Sequence, residues 1–333
     1  MEIFFLFLFI SLFNLFLYLK FELISKNFIF FDQPDGKLKK HSRPISLIGG
    51  LIILINLYLI TFFLKLIDID NLIFKENYTY GVLLLSTFFY IIGLVDDLKN
   101  LTPNKKLFLI ILSIIIVINF FPEINLKYIK ISFFENIYYF KYSSLFLVIS
   151  FALLANAMNM FDGINLQLIL YTLFVFILFI LKGIFPIFFT LLLISLIFLS
   201  ILNYKNKVFL GDGGAYLISS IFGCTFIYQY NELNNYFFGD EVFIILIIPA
   251  IDMLRLFVIR LLNKKHPFKG DLNHLHHIVY EFTKNRIITV FITINLCILP
   301  SFLLLLNFKT YFILTLSLMT YFGLIFYLRK KLK

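Results

Sequence analysis

The chain has no tryptophan, two cysteines, eight prolines and only 14% charged residues among 333. Soluble domains carry about 25% charged residues, so so little charge excludes a water-soluble globular fold. Disorder is excluded too, because disordered chains are rich in charge and poor in apolar groups. Cys224 and Cys297 both stand inside apolar runs, which marks them as small core residues rather than a disulfide or a metal site. The start lacks a basic flank and a small-residue cleavage site, with Glu2 in first position after Met1. A retained first helix is therefore expected, not a signal peptide.

What is present is apolar: 61% of the residues are hydrophobic. Runs of about 20 such residues span a bilayer as helices. The expected fold is all-α, a polytopic integral membrane protein of about eleven transmembrane helices. They are placed near 3–22, 45–66, 79–95, 107–121, 143–160, 165–181, 186–202, 214–230, 242–262, 287–307 and 310–328. Alternating polar and apolar residues in 122–142 suggest a small extramembrane hairpin.

Lysine and arginine set the orientation. The loops 20–43, 96–106, 203–213 and 260–286 and the tail 329–333 hold 21 of the 29 basic residues, and the opposite loops hold seven. By the positive-inside rule the first set is cytoplasmic, so the N-terminus lies outside and the C-terminus inside. The net charge of +10 follows from this bias and from attraction to anionic lipids. No basic soluble module exists to bind nucleic acid.

Five polar clusters fall on the cytoplasmic side. The first runs from Asp32 and Pro34 through Lys39 and His41 to Gly49-Gly50, a basic loop followed by a close helix contact. The second is Asp96-Asp97, then Pro103 and Lys106. Adjacent carboxylates at the end of an apolar helix are costly, and useful where a proton or cation is shared. The third is Asn156, Asn159, Asp162, Gly163 and Asn165, a set of oxygen ligands and amide donors suited to Mg²⁺ and a nucleotide. The fourth, Gly211-Asp212-Gly213-Gly214, opens a helix where backbone N–H groups favour phosphate. The fifth holds His274, His276 and His277, without the cysteine or acidic spacing of a zinc site. Each cluster alone also fits a solvated loop or a helix stop. Together they suit metal-assisted phosphoryl transfer at the cytoplasmic surface, where positioning and charge neutralisation dominate.

The order DxP…KxH…GG, DD…PxxK, NAxNxxDG, FxGDxG and HxHH, between about residues 32 and 277, resembles the polyprenyl-phosphate N-acetylhexosamine-1-phosphate transferase family. The HxHH form looks like the branch that uses simple UDP-N-acetylhexosamines rather than the muropeptide branch. Leu272 stands where that branch often has arginine.

The resemblance implies a single transmembrane transferase domain over 1–333. Its active site would be in loops 26–44, 96–106, 156–166, 203–214 and 263–286, facing the cytoplasm from a bacterial inner membrane. It implies a reaction in which UDP-N-acetylhexosamine and polyprenyl (undecaprenyl) phosphate give a polyprenyl-diphospho-sugar and UMP. The product would initiate a glycan such as O-antigen, capsule or teichoic acid. It further implies Asp96, Asp97 and Asp212 as catalytic, with either Asp96 or Asp97 as base. Asp212 and Asn159 would hold Mg²⁺, or Mn²⁺. Lys39, His41, Lys106, Asn156, Asp162, Asn165, His274, His276 and His277 would bind substrate. Homodimers are common among such relatives. The alternative from a different class is a transporter or flippase, which would show mid-span charges and discontinuous helices. Asp252 and Arg255, three residues apart near the middle of the ninth run, are the charges of that kind, readable as an internal ion pair.

Overall fold

A computed structural model of the chain describes residues 1–28, 30–33, 43–67, 72–134, 137–139, 142–232, 236–265 and 272–332. Each of the eleven apolar runs is helical. Among the described residues, eight helices are long and apolar enough to cross a membrane, and nine if one bent pair counts as a single span. The protein is a multi-pass, all-α membrane protein.

The helices form two compact units. One comprises 1–124 and 172–221, the other 125–171 and 222–333. The division falls inside α7 (Gln167–Leu181) and α9 (Gly211–Glu232).

The first unit contains α1 (Glu2–Leu19), the short α2 (Phe21–Lys26), α3 (Gly49–Ile67), α4 (Glu76–Lys99), α5 (Pro103–Phe120) and α8 (Pro186–Tyr204). The expected first helix thus breaks at Lys20. Only Leu6, Ile10 and Asn14 of α1 are buried, while Phe4, Phe5, Leu12 and Phe16 are exposed. Such an exposed apolar face suits lipid, not water. Asn14 and Asn56 clasp α1 to α3 by reciprocal amide bonds of 2.7 and 3.1 Å, which satisfies both buried side chains. Proline opens α5 and α8 at a position where its missing N–H costs nothing. Strands β1 (Phe31–Asp32) and β2 (Ile45–Ser46) pair antiparallel across the first basic loop.

The second unit opens with the expected hairpin: β3 (Tyr128–Lys130) pairs with β4 (Ile137–Tyr139). The Asp240 carboxylate pins it by accepting from the backbone N–H and hydroxyl of Ser132. The unit also holds α6 (Ser143–Phe161), α13 (Arg286–Leu305) and α14 (Thr310–Leu332). The ninth apolar run differs from expectation. It begins at Gly239 and breaks at Leu246 into α10 (Gly239–Ile245) and α11 (Ile247–Leu262), bent by 77°. Pro249, in the first turn of α11, suits a helix start and not a helix interior. A further helix, α12 (Leu275–Thr283), stands in what the sequence presents as loop 263–286. Leu275, Ile278 and Val279 form its buried stripe.

Candidate active site

Three of the five clusters belong to the first unit and two to the second. In the first unit, glycines let three helices touch. A methyl group on Gly93 of α4 would overlap the backbone at Gly213, and one on Gly50 of α3 would overlap Gly214. Gly49 N and Gly50 N donate to the carbonyls of Phe209 and Leu210, each at 3.2 Å. The GDGG turn is therefore held by backbone contact to α3 and α4. Gly211 itself takes a φ of 73°, a conformation that favours glycine.

This packing brings the second and fourth clusters together. Asp97 faces the N-terminus of α9, where its oxygens accept from Asp212 N at 3.2 Å and Gly213 N at 3.4 Å. An anion there offsets the orphan N–H groups and the positive end of the helix. Asp96 is 8% exposed. It accepts from Leu101 N at 2.8 Å and pairs with the ammonium of Lys106. The same ammonium lies 2.9 Å from Asp212 Oδ2 and over the ring of Tyr216 at 5.2 Å. Two carboxylates thus converge on one cation. That donor set of hard oxygens fits Mg²⁺, although among the described residues no three His, Cys, Asp or Glu side chains group as a metal site.

In the second unit, α6 ends in the third cluster. Asn156 is buried and spends an amide hydrogen on the carbonyl of Ala152 at 2.7 Å, within its own helix. Asn159, Asp162 and Asn165 are half-buried. Asp162 is the C-cap of α6. Gly163 meets the fifth cluster: a methyl group there would overlap the imidazole of His276. The rings of His274 and His276 stack at 5.5 Å and 4°, and His276 and His277 lie 4.2 Å apart. His276 is 2% exposed, and its Nε2 has no hydrogen-bond partner among the described residues. Burial first, and the neighbouring His277 and His274 second, hold its pKa well below the usual histidine value. The ring is therefore neutral at pH 7.

Asn159 and Asp212, expected to share a metal, fall in different units. Lys39 and His41 lie outside the described residues. Sequence reasoning missed Tyr321 of α14 and the full partner set of Asp252. The Asp252–Arg255 pair is formed at 2.8 Å, but Tyr321 OH also donates to Asp252 Oδ1 at 2.6 Å, and His274 Nδ1 lies 2.9 Å from Oδ2. The i, i+3 spacing of Asp252 and Arg255 was the available signal. Tyr321, one of 19 tyrosines, gave none.

The second unit also has an apolar, partly open pocket of about 330 Å³ lined by Phe146, Phe151, Leu154, Ile227, Leu246 and Leu254, among others.

Comparison with known proteins converges on one group. The family model described as glycosyl transferase family 4 matches residues 79–230. The undecaprenyl-phosphate alpha-N-acetylglucosaminyl 1-phosphate transferase of Thermotoga maritima is 26% identical over 268 residues, covering 77% of this chain and 75% of the relative. The phospho-N-acetylmuramoyl-pentapeptide-transferase of Staphylococcus aureus is 24% identical over 289 residues, covering 80% of this chain and 85% of the relative.

Proposed function

We propose, from the match of residues 79–230 to the family model described as glycosyl transferase family 4, that the chain transfers an N-acetylhexosamine-1-phosphate from a UDP-sugar to polyprenyl phosphate. An oxygen of the lipid phosphate forms a bond to the β-phosphorus of the nucleotide. The bond from that phosphorus to the bridging oxygen breaks, and UMP leaves. The observation that carries this reading is the Asp96–Lys106–Asp212 cluster beside Asp97 at the start of α9.

The geometry separates the two adjacent aspartates. Asp97 is bound by backbone N–H groups, so its share is to hold the GDGG turn. Asp96 pairs with the ammonium of Lys106, and we assign it the proton of the lipid phosphate. Lys106 exchanges a carboxylate partner for that phosphate, which it holds as a point charge. Asp212, which here pairs with Lys106, would hold Mg²⁺ through a carboxylate oxygen. Bound Mg²⁺ would neutralise charge on the diphosphate during transfer. Asn159 is retained as a proposed metal ligand, and Asp162 and Asn165 as contacts to the donor. His274, His276 and His277 are assigned to the diphosphate-sugar. The apolar pocket suits isoprenoid units of the acceptor. The HxHH pattern favours a simple UDP-N-acetylhexosamine over a muropeptide donor, and the product would begin a cell-surface glycan. The active site is assigned to the cytoplasmic face.

The test uses membranes containing the protein, undecaprenyl phosphate and radiolabelled UDP-sugars. Butanol-extractable label appearing with UMP supports the reading and names the sugar. Absence of both, with folded protein and Mg²⁺ present, refutes it for those donors.

One observation favours the transporter alternative: the 77° break between α10 and α11. Against it, Asp252 and Arg255 pair with each other, and Tyr321 OH donates to Asp252 as well. Uptake of labelled substrate into sealed vesicles, without lipid-linked product, would decide for transport.

A further inference from the structure

The buried ionic cluster around Asp252 has no place in the reaction as just assigned. Asp252 is 6% exposed, and a carboxylate taken out of water costs several kcal/mol unless it is compensated. Arg255 alone would neutralise it. The cluster goes further. Asp252 Oδ1 accepts from Arg255 Nη2 at 2.8 Å, from Tyr321 OH at 2.6 Å and from the backbone N–H of Leu275 at 3.1 Å. Arg255 Nε donates in turn to the Tyr321 hydroxyl at 2.8 Å, and Arg255 Nη2 to the carbonyl of Asn273 at 2.7 Å. That leaves Oδ2, which lies 2.9 Å from His274 Nδ1.

Each bond has a consequence. Arg255 and Tyr321 lock the carboxylate from α11 and α14. The Asn273 and Leu275 bonds fix the backbone on both sides of His274. An ionised carboxylate only accepts, so the Nδ1 of His274 carries the hydrogen that bonds Oδ2. Nε2 is then the nitrogen left to meet a ligand. Stacking on His276, nearly parallel at 4°, fixes the ring plane.

We propose that Asp252, held by Arg255 and Tyr321, is the positioning residue of the histidine cluster: it sets the tautomer and direction of His274 so that Nε2 is presented to the diphosphate-sugar. The proposal rests on the transferase reading for the identity of that ligand. The placement of His274 stands on geometry alone. A carboxylate that orients an imidazole through its far nitrogen acts in the same way behind metal-bound histidines, where its loss costs about 10- to 100-fold.

Two readouts test it. The first needs no activity. Protein labelled with ¹⁵N-histidine is reconstituted in bilayers, and the His274 resonances are identified by their loss in His274→Gln. The expected wild-type pattern is a protonated Nδ1, which becomes a mixture of forms in Asp252→Asn. A protonated Nδ1 that persists in Asp252→Asn overturns the proposal. The second is a double-mutant cycle on kcat/KM for the UDP-sugar. Asp252→Asn is expected to lower it roughly 10- to 100-fold, and to lower it no further once His274→Gln is present. Equal losses in both backgrounds indicate a purely structural role and overturn the proposal. If Asp252→Asn does not fold, Tyr321→Phe takes its place in the cycle. A fall that vanishes beside His274→Gln supports the proposal; no fall, or the same fall in both backgrounds, overturns it. A wild-type protein that transfers nothing refutes the transferase reading instead, and the tautomer comparison then decides the placement of His274.

Discussion

Asp96 and Asp97 are neighbours in sequence with different surroundings, and that difference sets what their substitution should do. Asp96→Asn removes the assigned proton acceptor but keeps the shape and the acceptor for Leu101 N. Transfer should fall about 10²- to 10⁴-fold, the usual worth of a general base, with little change in melting temperature. Asp97→Ala should lower both, because losing a cap at a helix N-terminus costs about 1 kcal/mol. Assays of kcat alongside thermal unfolding in detergent separate the two effects; an unchanged melting temperature in Asp97→Ala would remove the capping role. His276 supplies a pH dependence. Its pKa in the folded state lies well below 6.5, so the unfolded chain binds a proton that the folded chain refuses. Stability is therefore complete above about pH 6.5 and is lost as pH falls below it, by up to about 1.4 kcal/mol per pH unit. Melting curves from pH 7.5 to 5 should show this slope in the wild type and a shallower one in His276→Gln.

At the scale of elements, two backbone approaches carry the candidate site. Gly93 lets α4 touch the start of α9, and Gly163 lets the end of α6 receive the imidazole of His276. Gly93→Ala places a methyl group against backbone that has no rotamer to yield, so the helices must separate. Overpacking of this kind typically costs 1–3 kcal/mol, and transfer should be lost with it. Gly163→Ala meets a side chain instead; it should displace His276 and depress kcat/KM while most of the stability remains. Comparing the two variants by activity and unfolding temperature checks the distinction, and equal loss of stability in both would contradict it. Why the glycines stand where they do was not legible beforehand, because a glycine's partner is a surface on a distant helix.

At the scale of the whole molecule, orientation and metal dependence are the expectations to measure. Cysteine introduced at Lys330 or Lys99 should react with a membrane-impermeant maleimide only from the cytoplasmic side, and cysteine at Lys309 only from outside. Cys224 and Cys297 are buried, so they should contribute no background in the folded protein. Labelling of Lys309→Cys and Lys330→Cys from the same side would break the assigned topology. Chelation of divalent ions should abolish transfer, with recovery on adding Mg²⁺ or Mn²⁺. Turnover unaffected by EDTA would remove the metal from the proposal.

The sequence by itself determined the membrane setting, the place of most helices and the short hairpin. Apolar runs, basic-residue bias and two-residue alternation are local quantities that need no partner to be read. It also placed the acidic, glycine and histidine motifs in order, and through them the resemblance to a known family. The tertiary structure decided how each motif is used. Asp97 became a helix cap because Gly93 admits the α9 turn beside it. The ninth run broke at Leu246, and α12 formed from residues read as loop, because burial of Leu275, Ile278 and Val279 rewards a helix there. Asp252 gained His274 and Tyr321 from 22 and 69 residues away. Such partnerships depend on packing between distant segments, and the energy of a buried charge is set by the groups that surround it in space, not by those beside it in the chain.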